Sequence, residues 1–188
     1  MNNMRLVIPS LLYLLLHGAA HACPAVPDHQ VALDRLLSEV EAAETESAAR
    51  TISGKMWELW TDAPDEIAQA LLDRGMAFRN GRNYIEALDA FNRLVAYCPD
   101  YAEGYNQRAF VKYLTRNYRE ALPDLNRALA ITPKHIGAMS GKALSLMALG
   151  RRDEARSVLR EAVDLNPWLA ERRLLERGGA LEPEGEDI

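Results

Sequence analysis

The chain is poor in aromatic residues, at 7%, and it has no Val/Ile/Thr-rich alternating runs of the kind that build sheets. Ala, Leu, Glu and Arg are abundant instead, and these favour helix. Excess positive charge is also missing. Lys and Arg number 22 against 27 Asp and Glu, a formal net charge of −5. A nucleic-acid binder needs cations to neutralise phosphates, so this balance excludes RNA or DNA as an expected partner. It also excludes broad electrostatic attraction to anionic lipid. Metal-binding signatures are weak: the one His-x3-His pair, His17 and His21, falls inside the apolar amino-terminal segment, and there is no Cys-x2-Cys pair. No Gly-rich phosphate loop precedes a helical stretch. Four histidines exist; two lie in the first 22 residues, and His29 and His135 are far apart in sequence. Carboxylates are numerous, but on amphipathic helices they form the solvated face. No catalytic group, cofactor or metal is expected.

Long apolar runs are absent too, with one partial exception at the amino terminus. Arg5 is followed by a mostly apolar stretch from Leu6 to Leu16, then by Gly18, Ala19, Ala20, His21 and Ala22. The stretch is too short for a comfortable membrane span. The small-x-small pattern Ala20-His21-Ala22 is that of a secretory signal peptide, which assigns residues 1–22 to export. Cleavage there leaves Cys23 first. That position is similar to the lipid-carrying cysteine of bacterial lipoproteins, although Ala20 stands where those have a Leu-like residue. Cys23 is therefore a possible lipidation site, and membrane association is expected only in that case. The other cysteine is Cys98. A Cys23–Cys98 disulfide suits an oxidising compartment. Two cysteines alone do not establish one, and the favoured reading of Cys98 is a half-buried small apolar residue at a helix end.

What the sequence does have is self-similarity. Ala87, Phe91, Leu94 and Pro99 return 34 residues later as Ala121, Leu125, Ala128 and Pro133, and again as Ala155, Leu159, Ala162 and Pro167. Glu86, Glu120 and Glu154 keep the register, as do Gly75, Ala109 and Ala143. The small residues let paired helices approach, and the large apolar residues fill the space beyond. Each proline ends a helix, because it has no N–H and disfavours helix in the residue before it. Asn83 and Asn117 are expected N-caps. Pro123 sits near a helix start, where it costs one hydrogen bond or a mild bend.

A step of this length, with these residues, resembles the tetratricopeptide repeat (TPR) family over residues 68–169. The resemblance implies an all-α fold, an α-solenoid of antiparallel helix pairs with three repeat units. Arg152 stands where the family has Tyr. Residues 23–67 carry two further helical patterns. Val31, Leu33, Leu36, Leu37 and Val40 form one stripe, with Asp28 as its cap, and Ile52, Met56, Leu59 and Trp60 form the other. They read as an amino-terminal hairpin standing in the place of a preceding repeat and covering the first exposed face. Trp57 and Trp60 are alternatively part of a binding surface. Residues 170–188 read as a carboxy-terminal capping helix, stopped by Gly178-Gly179, and an acidic disordered tail.

By the same resemblance, the first helix of each pair lines a concave groove. The inward positions are Gln69, Leu72, Asp73, Met76 and Arg79 in the first unit. They are Glu103, Asn106, Gln107, Phe110 and Tyr113 in the second, and Gly137, Ser140, Gly141, Leu144 and Met147 in the third. From these, Leu72, Met76, Arg79, Asn106, Gln107, Phe110, Tyr113, Leu144 and Met147 form the expected peptide-binding groove. Met and aromatic groups anchor apolar residues, and amides bond a backbone. Members that clamp the carboxyl terminus of heat-shock chaperones use Lys, Asn and Arg at set inward positions. Here those positions hold Leu72, Met76, Phe110, Gly137 and Gly141, so that clamp is absent. The expected function is a non-enzymatic adaptor of the bacterial cell envelope, periplasmic, binding a segment of another protein. The alternative is a lipid-tethered or self-associating scaffold subunit.

Overall fold

The structure, a computed structural model, describes residues 23–183. The signal-peptide assignment, residues 1–22, lies outside the described residues, as do residues 184–188 of the acidic tail. Among the described residues there are eight α-helices, one short 3-10 turn and no strand. The helices are α1 Gln30–Glu41, α2 Glu46–Trp60, α3 Glu66–Asn80, α4 Tyr84–Tyr97, α5 Ala102–Leu114, α6 Tyr118–Ile131, α7 Ile136–Ala148 and α8 Arg152–Leu165. Consecutive helices pair as α1/α2, α3/α4, α5/α6 and α7/α8, and the last three pairs stack in order. This is the α-solenoid expected of the repeat.

The repeated residues do what their sizes imply. Ala87, Ala121 and Ala155 are fully buried where the two helices of a pair meet. A Cβ on Gly75 would come within 2.4 Å of the Phe91 ring, so only glycine lets α3 lie that close to α4. Helices α4, α6 and α8 each stop two residues before Pro99, Pro133 and Pro167. The link within each of the last three pairs repeats as well. Arg82, Arg116 and Gly150 all have left-handed backbones, with φ of 62°, 62° and 76°. Asn83 N–H donates to the Phe78 carbonyl, Asn117 to Lys112 and Arg151 to Leu146, so each turn closes as a Schellman motif. Two of the three positions use arginine where glycine is the unstrained choice.

Capping differs from expectation. Asn83 and Asn117 occupy the N-cap positions of α4 and α6, but their side chains do not cap. Caps are made by Thr45 to Ala48, Asp65 to Ala68 and His135 to Ala138. The α1 N-cap is His29, while Asp28 accepts from Gln30 N–H.

Larger corrections concern the two flanks. The α1/α2 hairpin does not stack on α3 as a preceding repeat would. Its apolar face, Leu33, Leu36, Leu37, Val40, Ala49 and Met56, is buried with Ile136, Leu165, Trp168 and Leu169, at the far end of the solenoid. Polar contacts trace the same path: Lys134 to Asp34 at 2.7 Å, Asn166 to Ser53 at 3.3 Å and the Tyr101 hydroxyl to the Trp60 carbonyl at 2.8 Å. At the carboxy end the expected capping helix is only a 3-10 turn, Ala170–Leu174. Residues 180–183 are not loose tail. Leu181 is buried with Leu146 and Leu159, and Arg156 donates to the Leu181 and Glu182 carbonyls.

Cys98 is fully buried and bonded to Cys23, with a Cα–Cα distance of 5.1 Å. The favoured reading of Cys98 as an unpaired apolar residue is therefore corrected. The bond ties the start of the described chain to the end of α4, so the hairpin is held at both ends: by the disulfide and by the link into α3.

Candidate functional site: a cleft between the hairpin and the inner helices

Laying the hairpin across the solenoid places α2 opposite α5 and α7. The space left between them is a cleft of about 430 Å³. Helix α2 supplies Ser53, Met56, Trp57 and Trp60; α5 supplies Asn106, Gln107, Phe110 and Tyr113; α7 supplies Ser140, Leu144 and Ser145. The helical repeat explains the grouping, since residues three or four apart share a face. Aromatic rings dominate the opening. Phe110 is 42% exposed and Trp57 38%, whereas Met56 and Ser145 at the floor are buried. The Arg79 guanidinium lies 5.2 Å from the Phe110 ring centre, within cation–π range, and also bonds Gln107 and Asn80. Burial pulls the Arg79 pKa below its ordinary value, and the nearby Glu103 carboxylate offsets only part of that. Tyr113 packs tilted against Tyr118, ring centres 5.3 Å apart, and burial raises its pKa first, with smaller contributions from Tyr118 and Glu171.

Behind the cleft wall runs a buried polar chain. Glu103, 1% exposed, accepts from Asn106 at 2.9 Å, from Gln107 and from His135 Nε2 at 2.8 Å. His135 Nδ1 accepts the Ala138 amide, so the ring proton sits on Nε2 and points at the carboxylate. The imidazole face carries the Trp60 indole, stacked at 4.3 Å and 13°. A carboxylate this deep is tolerated because its oxygens are answered. The network fixes the amides that face the cleft, and it seats the end of α2.

Of the expected groove residues, Arg79, Asn106, Gln107, Phe110, Tyr113 and Leu144 line this cleft. Leu72 does not: it is fully buried with Phe91, Leu94 and Val111, and is a core residue. Met76 packs against that same core, and Met147 against Leu122, Leu146 and Leu159. Neither reaches the cleft. The sequence reading omitted Met56, Ser53, Ile136, Asn166 and Leu169 from the site, because nothing local to them says that the hairpin crosses to α7. Trp57 and Trp60, noted as a possible surface, both stand in the cleft wall. Cys23 has its sulfur committed to Cys98, which leaves no thiol to carry a lipid. Among the described residues no group of three His, Cys, Asp or Glu is placed to hold a metal ion, and no helix is long and apolar enough to cross a membrane.

Comparison with known proteins agrees with this architecture. Two family models described as tetratricopeptide repeat match residues 69–101 and 114–168. A TPR repeat-containing protein of Rhizobium etli is 30% identical over 136 residues, which is 72% of this chain and 66%, just under two thirds, of the relative. Among solved structures, the TPR domain of Arabidopsis OM64 is similar with a TM-score of 0.58 at 21% identity, covering 60% of this chain and 93% of that domain. The TPR2B domain of yeast Sti1, solved in an Hsp70 complex, gives 0.55 at 21% identity with the same coverage. The first TPR of Spaghetti (RPAP3), bound to an HSP90 peptide, gives 0.54 at 23% identity over 55% of this chain and 82% of that one. At such identities these structures speak for the fold alone. Fold, repeat register and relatives converge: the chain is a tetratricopeptide repeat protein.

Proposed function

We propose that this protein is a non-catalytic interaction module of the bacterial cell envelope, periplasmic rather than lipid-anchored, which holds a segment of another protein at the mouth of the α2/α5/α7 cleft. The observation that carries the reading is the pair of large apolar side chains left in solvent there. Phe110 and Trp57 stand beside the half-buried Tyr113 and over a mostly apolar lining. Aromatic and Arg anchors set around a pocket are the usual centre of binding energy at protein interfaces. Two of the solved TPR domains named above, those of RPAP3 and Sti1, were solved with an HSP90 peptide and in an Hsp70 complex, which supports protein segments as the ligand class. Their acidic ligand does not suit this chain: Leu72 is sealed in the core, and Met76, Phe110, Gly137 and Gly141 offer no cation. Export is supported by the small-x-small pattern before Cys23, and by a disulfide of the kind that persists in oxidising compartments.

Capture of partners from envelope extracts on immobilised protein tests the proposal. Phe110→Ala and Tyr113→Ala should each weaken retention of the main captured protein at least tenfold while leaving the melting temperature nearly unchanged. Ile85→Ala, 82% exposed on α4, is the control and should change neither. Equal losses from Ile85→Ala, or early melting of the Phe110 variant, would overturn the assignment.

A further inference from the structure

Among the described residues, three buried side-chain polar atoms lack a hydrogen-bond partner: Trp60 Nε1, Ser140 Oγ and Ser145 Oγ. All three belong to residues lining the same cleft. Native proteins answer nearly all such groups, so three orphans on one cavity are not scatter. The serines are the more telling. A hydroxyl inside a helix ordinarily bonds back to a carbonyl of the preceding turn. Ser38 and Thr51 do so inside α1 and α2, as do Thr61 and Thr115 at the C-caps of α2 and α5. Ser140 and Ser145, on the cleft side of α7, do not. Their hydroxyls can rotate to suit an incoming group, and the indole is a donor only. An acceptor is therefore the one kind of group that can answer all three.

The rest of the lining restricts the kind of molecule that brings one. It is mostly apolar, with Met56, Trp57, Phe110, Ile136 and Leu144 around the orphans. Arg79 is the one cation on it, and that guanidinium is already bonded to Gln107 and Asn80 and stacked on Phe110. Glu171 lies on the lining, and the buried Glu103 carboxylate stands directly behind Asn106 and Gln107. An anion meets two carboxylates and no free cation. Size restricts it further. The volume, about 430 Å³, falls in the range of small-molecule sites. It equals roughly one turn of a helix about 10 Å across, so several turns of a partner helix do not fit inside while α2 is in place.

The geometry points to a binding site for a small, uncharged, largely apolar molecule that carries a hydrogen-bond acceptor: a ketone, ester or amide on an aromatic or branched body. The site lies beneath the mouth at which a partner segment is proposed to dock, and it does not depend on that partner. Trp60 joins the cleft to the buried polar network, since its ring stacks on His135 while its N–H has no partner within the protein.

The test uses the disulfide-bonded protein, nitrogen-15 labelled, titrated with three matched probes: indanone, indane and indane carboxylate. The indole N–H resonances of Trp57, Trp60 and Trp168 are read by NMR, assigned by single Trp→Phe variants. Indanone should shift the Trp60 indole proton downfield in a saturable manner. Indane, which lacks only the acceptor, should bind about tenfold more weakly, the equivalent of ~1.4 kcal/mol. The carboxylate should not saturate. In the double variant Ser140→Ala, Ser145→Ala, with an unchanged melting temperature, most of the advantage of indanone over indane should vanish. Equal affinities for indane and indanone, tightest binding of the carboxylate, or indanone binding that leaves the Trp60 signal in place would each overturn the site. So would failure of all three probes to bind. Because no partner protein is present, loss of this site leaves the docking proposal standing, and the reverse holds too.

Discussion

Breaking the Cys23–Cys98 bond should loosen the hairpin far more than the repeats outside the loop it closes. The two cysteines are 75 residues apart, and the closed loop holds α1, α2 and the whole first repeat. For a loop of that length the chain-entropy relation gives close to 15 cal/mol/K, or about 4.5 kcal/mol at 25 °C, as the stabilisation from restricting the unfolded chain. This is an upper figure. A solenoid unfolds by neighbouring units, so the loss falls on the units inside the loop rather than on α7 and α8. The perturbation is Cys23→Ser with Cys98→Ala, the alanine chosen because position 98 is fully buried and has no place for a hydroxyl. Urea unfolding followed by tryptophan fluorescence is a direct assay, because Trp57 and Trp60 lie on α2 and Trp168 lies in its seat. Hydrogen exchange adds the location. We expect a loss of about 2–4 kcal/mol, with faster exchange across residues 30–60 and little change in α7. An unfolding free energy within about 0.5 kcal/mol of the parent, together with unchanged exchange over 30–60, would refute the reasoning. The hairpin would then be held by its apolar face alone.

Other substitutions separate core from cleft. Leu72→Ala should cost about 2–5 kcal/mol in urea unfolding, as for any fully buried leucine, without a selective loss of partner capture. Gly75→Ala places a Cβ within 2.4 Å of the Phe91 ring; the overpacking, about 1–3 kcal/mol, should outweigh the helix propensity gained and lower the melting temperature. Glu103→Ala leaves the donors of Asn106, Gln107 and His135 unanswered in the interior and should cost about 3–5 kcal/mol, measured the same way. Asp65 has its pKa lowered by the Ala68 amide and then by the Tyr97 hydroxyl, so its contribution is present above the unfolded value, near 3.8, and is lost as acid protonates it. Asp65→Asn should flatten the fall in melting temperature below pH 4 relative to the parent.

Much of this architecture was legible because the repeat writes its own geometry. Ala87, Ala121 and Ala155 must be small where helices touch, and the three prolines must follow a helix end, so a fixed step exposes the pairs without a structure. The hairpin was half legible. Leu33, Leu36, Leu37 and Val40 say that α1 buries a face, but an amphipathic stripe does not name what it meets, and Trp168 and Leu169 are well over a hundred residues away. The same gap explains the site. Phe110 and Tyr113 follow from repeat position, whereas Met56 and Ile136 join the cleft only because α2 crosses to α7. Leu72 shows the opposite failure. Its repeat position points inward, yet with Phe91 and Val111 beside it an apolar side chain there closes into the core. Cysteine pairing required a distance, which sequence spacing does not supply.

The most direct test of the cleft as the working face is photo-crosslinking in the native host, with a probe placed at position 110 and a second, on α4, at position 85. One dominant adduct from position 110, absent from position 85 and lost when Tyr113 is changed to Ala, is the result this account predicts. An adduct from position 85 with none from position 110, on protein shown to be folded and disulfide-bonded, would contradict it and move the interaction to the outer surface of the solenoid.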